Sequence, residues 1–141
     1  MDKFLPLLLS YFVILQNKFH NIHTNAKWPE FWYMHPIFWD IYAIFGDDAI
    51  DAIRERALQL HIDIPNTLDE YQASAKIKEL TVVPSISNCI SIVLNDLSFM
   101  EKMLAVGIAE SNEDIVTQNM LADFQKEIGT RRWKFEMATP A

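Results

Sequence analysis

The sequence predicts an all-α fold: a four-helix bundle with a short extra helix in the connection between the second and third helices. Apolar residues recur at steps of three and four, strand-like alternation is nearly absent, and the chain holds only three glycines. Half of its 141 residues are hydrophobic, enough for a sizeable core, and the length suits a single domain over residues 1–141.

The first helix is expected from about Lys3 to about Asn25, with Pro6 tolerated in its first turn. Leu8, Leu15, Phe19 and Ile22 mark its buried face. Leu7, Leu9, Tyr11, Phe12, Val13 and Ile14 make it apolar nearly all round, so it needs a second burial partner. A turn at Lys27-Trp28-Pro29 leads to a second helix expected to end near Leu60. Pro36 marks either its start or a kink. Phe31, Trp32, Ile37, Phe38, Trp39, Ile41, Ile44 and Phe45 exceed one stripe and imply association into a homo-oligomer. In the connection, Thr67-Leu68-Asp69-Glu70 has the capping-box spacing of a short helix. Pro84 suits the first turn of the third helix, where Ile86, Ile90, Val93, Leu97, Met100 and Leu104 form the inward stripe. The fourth helix is expected from about Glu113 to about Phe135, with Ser111 or Asn112 as N-cap and Leu121, Phe124 and Ile128 inward; Met137 to Ala141 should be a loose tail.

The formal charge of −7 argues against a general phosphate-binding surface and suits a protein that attracts cations. The lone Cys89 excludes an internal disulfide and a zinc knuckle, suits a reducing compartment and reads as core packing. The apolar run Phe4–Leu15 is too short to span a bilayer, and no small-residue cleavage site follows it, so a cytoplasmic, non-membrane protein is expected.

The stretch from His20 to Arg56 carries the chemistry. It contains His20, His23 and His35, with Asp40, Asp47, Asp48, Asp51 and Glu55 after them. His23 and His35 stand twelve residues apart across the Trp28-Pro29 turn, on two different helices. Asp51 and Glu55 share a helix face at i, i+4. Asp40 lies within about 20° of Asp51's line on the second helix, so Asp40, Asp51 and Glu55 are expected to form one stripe. Imidazole nitrogens with carboxylate oxygens suit a non-haem iron site. A polar subunit interface without metal would use the same residues. His20 reads as structural, His61 as a complement to a helix C-terminus, and Asp47 with Asp48 as a solvated pair.

These residues resemble the Dps proteins, the mini-ferritins known as DNA-binding proteins from starved cells. The resemblance lies in Phe19-His20-Asn21-Ile22-His23, Lys27-Trp28-Pro29 with Phe31, Met34-His35 with Phe38, Asp51 with Glu55-Arg56, Thr67 to Tyr71, Ile77-Lys78-Glu79 and Trp133, and it covers nearly the whole chain. It implies a ferritin-like bundle, a twelve-subunit shell, ferroxidase activity toward Fe²⁺ with H₂O₂ or O₂, and storage of the ferric product. It also implies a site at a two-fold interface: His23 and His35 from one subunit, Asp51 and Glu55 from its partner. Asp40 joins the metal ligands only if the register shifts by one residue after His35. Zinc is an alternative occupant, and a non-catalytic shell that protects DNA is an alternative function. Asp114, Asp123 and Glu127 match acids that line a cation pore in the family, or form a solvated face.

The chain departs from the family in three places. The family's next acid follows the second histidine by four residues, where this chain has Trp39. An irregularity just after His35 would bring Asp40, Asp51 and Glu55 into register. An irregularity near Asp47-Asp48-Ala49 would leave Trp39 in the ligand's place. Thr24 stands where the family commonly has a tryptophan, making Trp28, Trp32 and Trp39 candidate electron sinks. Family members often bind DNA through Lys-rich tails, whereas here Met1-Asp2-Lys3 precedes the first helix and Met-Ala-Thr-Pro-Ala ends the chain, so weak or absent DNA binding is expected.

Overall fold

Six helices account for most of the chain in the computed structural model, which describes residues 1–139: α1 (Phe4–Asn25), α2 (Phe31–Ala43), α3 (Asp47–Gln59), α4 (Leu68–Ser74), α5 (Ile86–Glu110) and α6 (Ile115–Ala138). No strand occurs among the described residues, and no helix among them is long and apolar enough to cross a membrane. The chain divides into two compact units, Met1–Val82 and Val83–Ala141.

In the first unit α1 is the central element, touching α2, α3 and α4. Its burial matches its composition: Leu8, Leu9, Phe12, Leu15, Phe19 and Ile22 are inaccessible to solvent. Phe45 packs edge-on against Phe12 at 4.9 Å and Phe19 at 5.6 Å between ring centroids. Burying such a ring contributes about 2–3 kcal/mol, and the quadrupoles favour the edge-on geometry.

That anchor accompanies a correction to the sequence reading. The second helix does not run unbroken to Leu60 but stops at residues 44–46 and restarts at Asp47. Tight turns close the break, from the Phe45 N–H to the Tyr42 carbonyl and from the Gly46 N–H to the Ala43 carbonyl, each 3.0 Å. A Cβ on Gly46 would lie 2.8 Å from the Ala43 carbonyl oxygen, so the turn requires glycine. Asp47 and Asp48 then occupy the first turn of α3, where carboxylates complement the helix dipole.

The irregularity expected after His35 is absent, because α2 passes through Pro36 without interruption. Proline removes the hydrogen bond to the carbonyl four residues earlier, at Trp32. Both Pro36 and Trp32 are exposed, which puts the loss on the solvent side. With the break between them, Asp40 and Asp51 belong to separate helices, and the single acid stripe expected of one continuous helix does not form.

At the end of α3, His61 adopts φ 58°. The Ile62 N–H reaches the Ala57 carbonyl at 2.9 Å and the His61 N–H reaches the Leu58 carbonyl at 3.0 Å, a Schellman closure with histidine where glycine is usual. The short helix begins where the capping box placed it: the Glu70 N–H donates to Thr67 Oγ1 at 3.2 Å. The segment after α4 is tied to α1, since Asn17 Nδ2 donates to Glu79 Oε1 at 2.8 Å and Asn21 Nδ2 to the Leu80 carbonyl at 2.7 Å.

In the second unit α5 packs on α6. Ile90, Val93, Leu97, Met100 and Leu104 are buried, as are Leu121 and Ile128, while Phe124 is half-buried. Pro84 lies just before α5 rather than in its first turn, and Ser85 caps the helix, accepting from the Asn88 N–H at 3.4 Å. Asp114, rather than Ser111 or Asn112, caps α6, accepting from the Thr117 N–H at 3.1 Å. Carboxylate caps satisfy an orphan N–H while facing the positive end of the dipole. Arg132 joins α6 to α5 through Glu101. Met137 and Ala138 are helical, a correction to the expected loose tail, whose Pro140 and Ala141 lie outside the described residues.

Candidate metal centre

Two of the five residues singled out as ligands meet within the chain. His23 is on the last turns of α1 and His35 is near the middle of α2; their imidazoles stack with centroids 3.7 Å apart and planes 19° from parallel. Each ring also bonds the other's backbone: His23 Nδ1 to the His35 carbonyl at 2.9 Å, and His35 Nδ1 to the His23 carbonyl at 2.7 Å. A carbonyl can only accept, so both Nδ1 atoms carry the proton, and in a neutral ring the lone pair is then on Nε2. In their neutral forms the two rings thus turn Nε2 lone pairs outward, with tautomer and orientation set by the backbone, as second partners of metal-binding histidines do.

The bond from His35 has a local cause. The last four carbonyls of an α-helix lack partners within the helix. The Ile22 carbonyl takes the Ala26 N–H at 3.2 Å, and the His23 carbonyl takes the His35 ring. His35 therefore closes the C-terminus of α1 as well as facing His23.

Burial chiefly holds the His23 pKa below the usual imidazole range, and the neighbouring His35 and His20 rings lower it further; the bond to the His35 backbone opposes them. His23 is buried, with 8% of its surface exposed, which keeps its lone pair available at neutral pH.

The acids stand apart. Asp51 and Glu55 are exposed on α3, one turn from each other. Asp40 follows His35 by five residues in an unbroken helix, which turns it about 140° from His35, whereas Trp39 falls on the histidine's own face. No group of three His, Cys, Asp or Glu side chains suited to a metal converges among the described residues. Asp114 is engaged as a helix cap and Glu127 pairs with Arg131, so two of the three acids read as pore candidates have local roles. Cys89 is buried, as its core reading required, and burial pushes its thiol up to about 11.

Tyr42 is the residue that sequence reasoning missed. Its ring stacks on His20 at 4.5 Å, lies 5.1 Å from His23 and meets the edge of Trp39 at 6.4 Å. The signal was present, since His35, Trp39 and Tyr42 are spaced i, i+4, i+7 along one helix face. Of the other tryptophans, Trp28 packs on Phe38 at 5.3 Å and Trp32 is 89% exposed. Trp32, Tyr33, Ile37 and Trp39 leave α2 with a broad exposed apolar surface.

This chain is similar to known proteins over most of its length. A DNA protection during starvation protein of Brevibacillus brevis is 30% identical over 126 residues, covering 88% of this chain and 84% of that protein. The Dps crystal structure from Bacillus brevis matches with a TM-score of 0.89 at 28% identity, over 96% of this chain and 92% of that one. Dps from Staphylococcus aureus matches in fold with a TM-score of 0.92 at 22% identity, over 99% and 95%. No family model matches the sequence. The fold is all-α and ferritin-like, with α4 as the short helix of the connection. The chain belongs to the Dps family of mini-ferritins.

Proposed function

We propose that this protein oxidises Fe²⁺ and stores the ferric product, at a site completed across a two-fold interface between two copies. The observation that supports this reading is the His23–His35 pair, two imidazoles whose Nδ1 protons are committed to carbonyls and whose Nε2 atoms are left as donors. Asp51 and Glu55 of the partner subunit supply oxygens. Exposed and one turn apart, they suit contact with another molecule. Their charge also offsets the added positive charge of Fe³⁺. These four donors define one tightly held Fe²⁺, and an ion nearer Asp40, off the histidine face, is held loosely. The exposed apolar surface of α2 suits burial in that interface, in a twelve-subunit, cytoplasmic shell. Peroxide or dioxygen takes the electrons. Fe²⁺ oxidation followed optically in the wild type and in a His23→Ala, Asp51→Ala variant tests the reading. A marked loss of rate in the variant is expected, and equal rates would overturn the assignment.

A DNA-protecting shell is the second reading, favoured by the names of the relatives. The net charge of −7 opposes it, because phosphate binding depends on clustered cations. Weak or absent binding to duplex DNA is expected in a low-salt gel-shift, and tight binding there would reverse that order. Two imidazoles and two carboxylates also suit zinc, so metal analysis of the purified protein distinguishes an iron site from a zinc site.

A further inference from the structure

We propose that Arg54 is a positioning residue for the two carboxylates that α3 offers to the iron site, setting the roll of that helix about its own axis. The role rests on the reading that Asp51 and Glu55 complete the site.

α3 needs such a device. The break at residues 44–46 separates it from α2, so its orientation is not inherited from the helix that carries His35. It packs on α1 and buries Ile53 and Ala57, a single line along one side. Asp51 and Glu55 lie about 160° round the helix from that line. One line of contact sets how close a helix lies but resists rolling weakly. Side-chain tips stand about 5–6 Å from a helix axis, so a roll of about 20° carries either carboxylate about 2 Å. A site that holds its ligand tolerates about 0.5 Å. Gln16 Nε2 donates to Asp47 Oδ1 in the first turn of α3, but that bond is 3.4 Å long and exposed.

Arg54 opposes the roll. It is half-buried on the flank of α3, about 80° from the Ile53–Ala57 line. Its Nη1 donates to the Tyr71 hydroxyl at 2.6 Å and its Nη2 to Asn66 Oδ1 at 3.0 Å. Tyr71 is buried on α4, and α4 packs on α1, so the first bond has a fixed base. Asn66 is oriented in turn by donating from Nδ2 to the Ile64 carbonyl at 3.1 Å. Two bonds from one planar fork set direction as well as distance. Both acceptors are neutral, so the guanidinium is engaged by geometry and not by charge pairing.

Charge and position predict opposite outcomes. Arg54→Met removes a positive charge from the helix turn that carries Asp51 and Glu55, which by charge alone tightens cation binding. Loss of a positioning residue weakens it. Anaerobic calorimetry with Fe²⁺ on the assembled protein gives the affinity, and oxidation rates against Fe²⁺ concentration give the half-saturation point. Arg54→Met should bind Fe²⁺ roughly tenfold more weakly. Tyr71→Phe keeps the charge and removes one acceptor; it should show a smaller loss in the same direction, and it carries the test if Arg54→Met does not assemble. In both, half-saturation should rise with the rate at saturation little changed. A protein that is merely destabilised loses rate with its folded fraction and keeps its half-saturation point. Affinity equal to or above wild type in Arg54→Met, or unchanged in Tyr71→Phe if only that variant assembles, overturns the role of Arg54 and leaves the iron site standing. No Fe²⁺ binding in the wild type, or binding undiminished by Asp51→Ala, removes the site itself and the positioning role with it.

Discussion

Replacing His35 with alanine tests the double role given to that ring. The substitution removes the bond from Nδ1 to the His23 carbonyl, 2.7 Å long, and the imidazole stacked at 3.7 Å on His23. A partly buried carbonyl left without its partner costs about 1–3 kcal/mol, and a lost ring–ring contact about 0.5–1.5 kcal/mol. A destabilisation of about 2–4 kcal/mol is therefore expected, or roughly 10 °C in Tm for a chain of this size. Urea unfolding followed by circular dichroism, at one protein concentration for all variants because assembly shifts apparent stability, gives the difference. His35→Asn is the control: its side-chain amide can still donate to the His23 carbonyl but has no Nε2, so it should recover about half the lost stability and none of the iron binding. A loss under about 0.5 kcal/mol in His35→Ala, or an asparagine variant no more stable than the alanine one, would refute the capping argument.

Gly46→Ala should destabilise by about 1–3 kcal/mol, because its Cβ would meet the Ala43 carbonyl oxygen at 2.8 Å; the urea midpoint reports it. His61→Gly should stabilise by about 1 kcal/mol, since only glycine adopts the left-handed conformation without cost; a lowered midpoint would contradict the Schellman assignment. The depressed pKa of His23 makes stability depend on acid. Below the unfolded value of about 6.5 the unfolded chain takes up a proton that the folded chain refuses, so this contribution is complete above that pH and declines as pH falls toward the folded pKa. Replacing His23 with glutamine should flatten that slope between pH 7 and 5.

The fold class was legible because helical periodicity is local. The stripe from Ile90 to Leu104 and the capping box at Thr67 each depend on residues within a turn or two of one another, and both appear where the spacing put them. The spacing of His23 and His35 either side of a proline turn placed them on two helices, and the family resemblance suggested that they meet. The reciprocal bonds to each other's carbonyls were not legible, because they depend on how the end of α1 approaches the middle of α2.

The break at residues 44–46 shows the limit of that legibility. Read alone, the stretch from Ile37 to Leu60 continues a helical pattern and contains no proline. Tertiary packing places Phe45 between Phe12 and Phe19, while Gly46 permits an approach to the Ala43 carbonyl that no larger residue tolerates. These contacts join the break to a core whose residues are distant in the chain. The break also decides which side chain shares the face of His35: α2 runs unbroken past Pro36, so that side chain is Trp39 and not Asp40.

By itself, then, the sequence determined the helical class, the buried stripes, the acidic net charge and the two histidines worth watching, all of which follow from residue type and short-range spacing. Only the tertiary structure decided where the second helix divides, which ring nitrogens are left as donors, and that Tyr42 lies against the pair. Those outcomes depend on side chains and carbonyls far apart in the chain coming within bonding distance, which periodicity along a single helix does not encode.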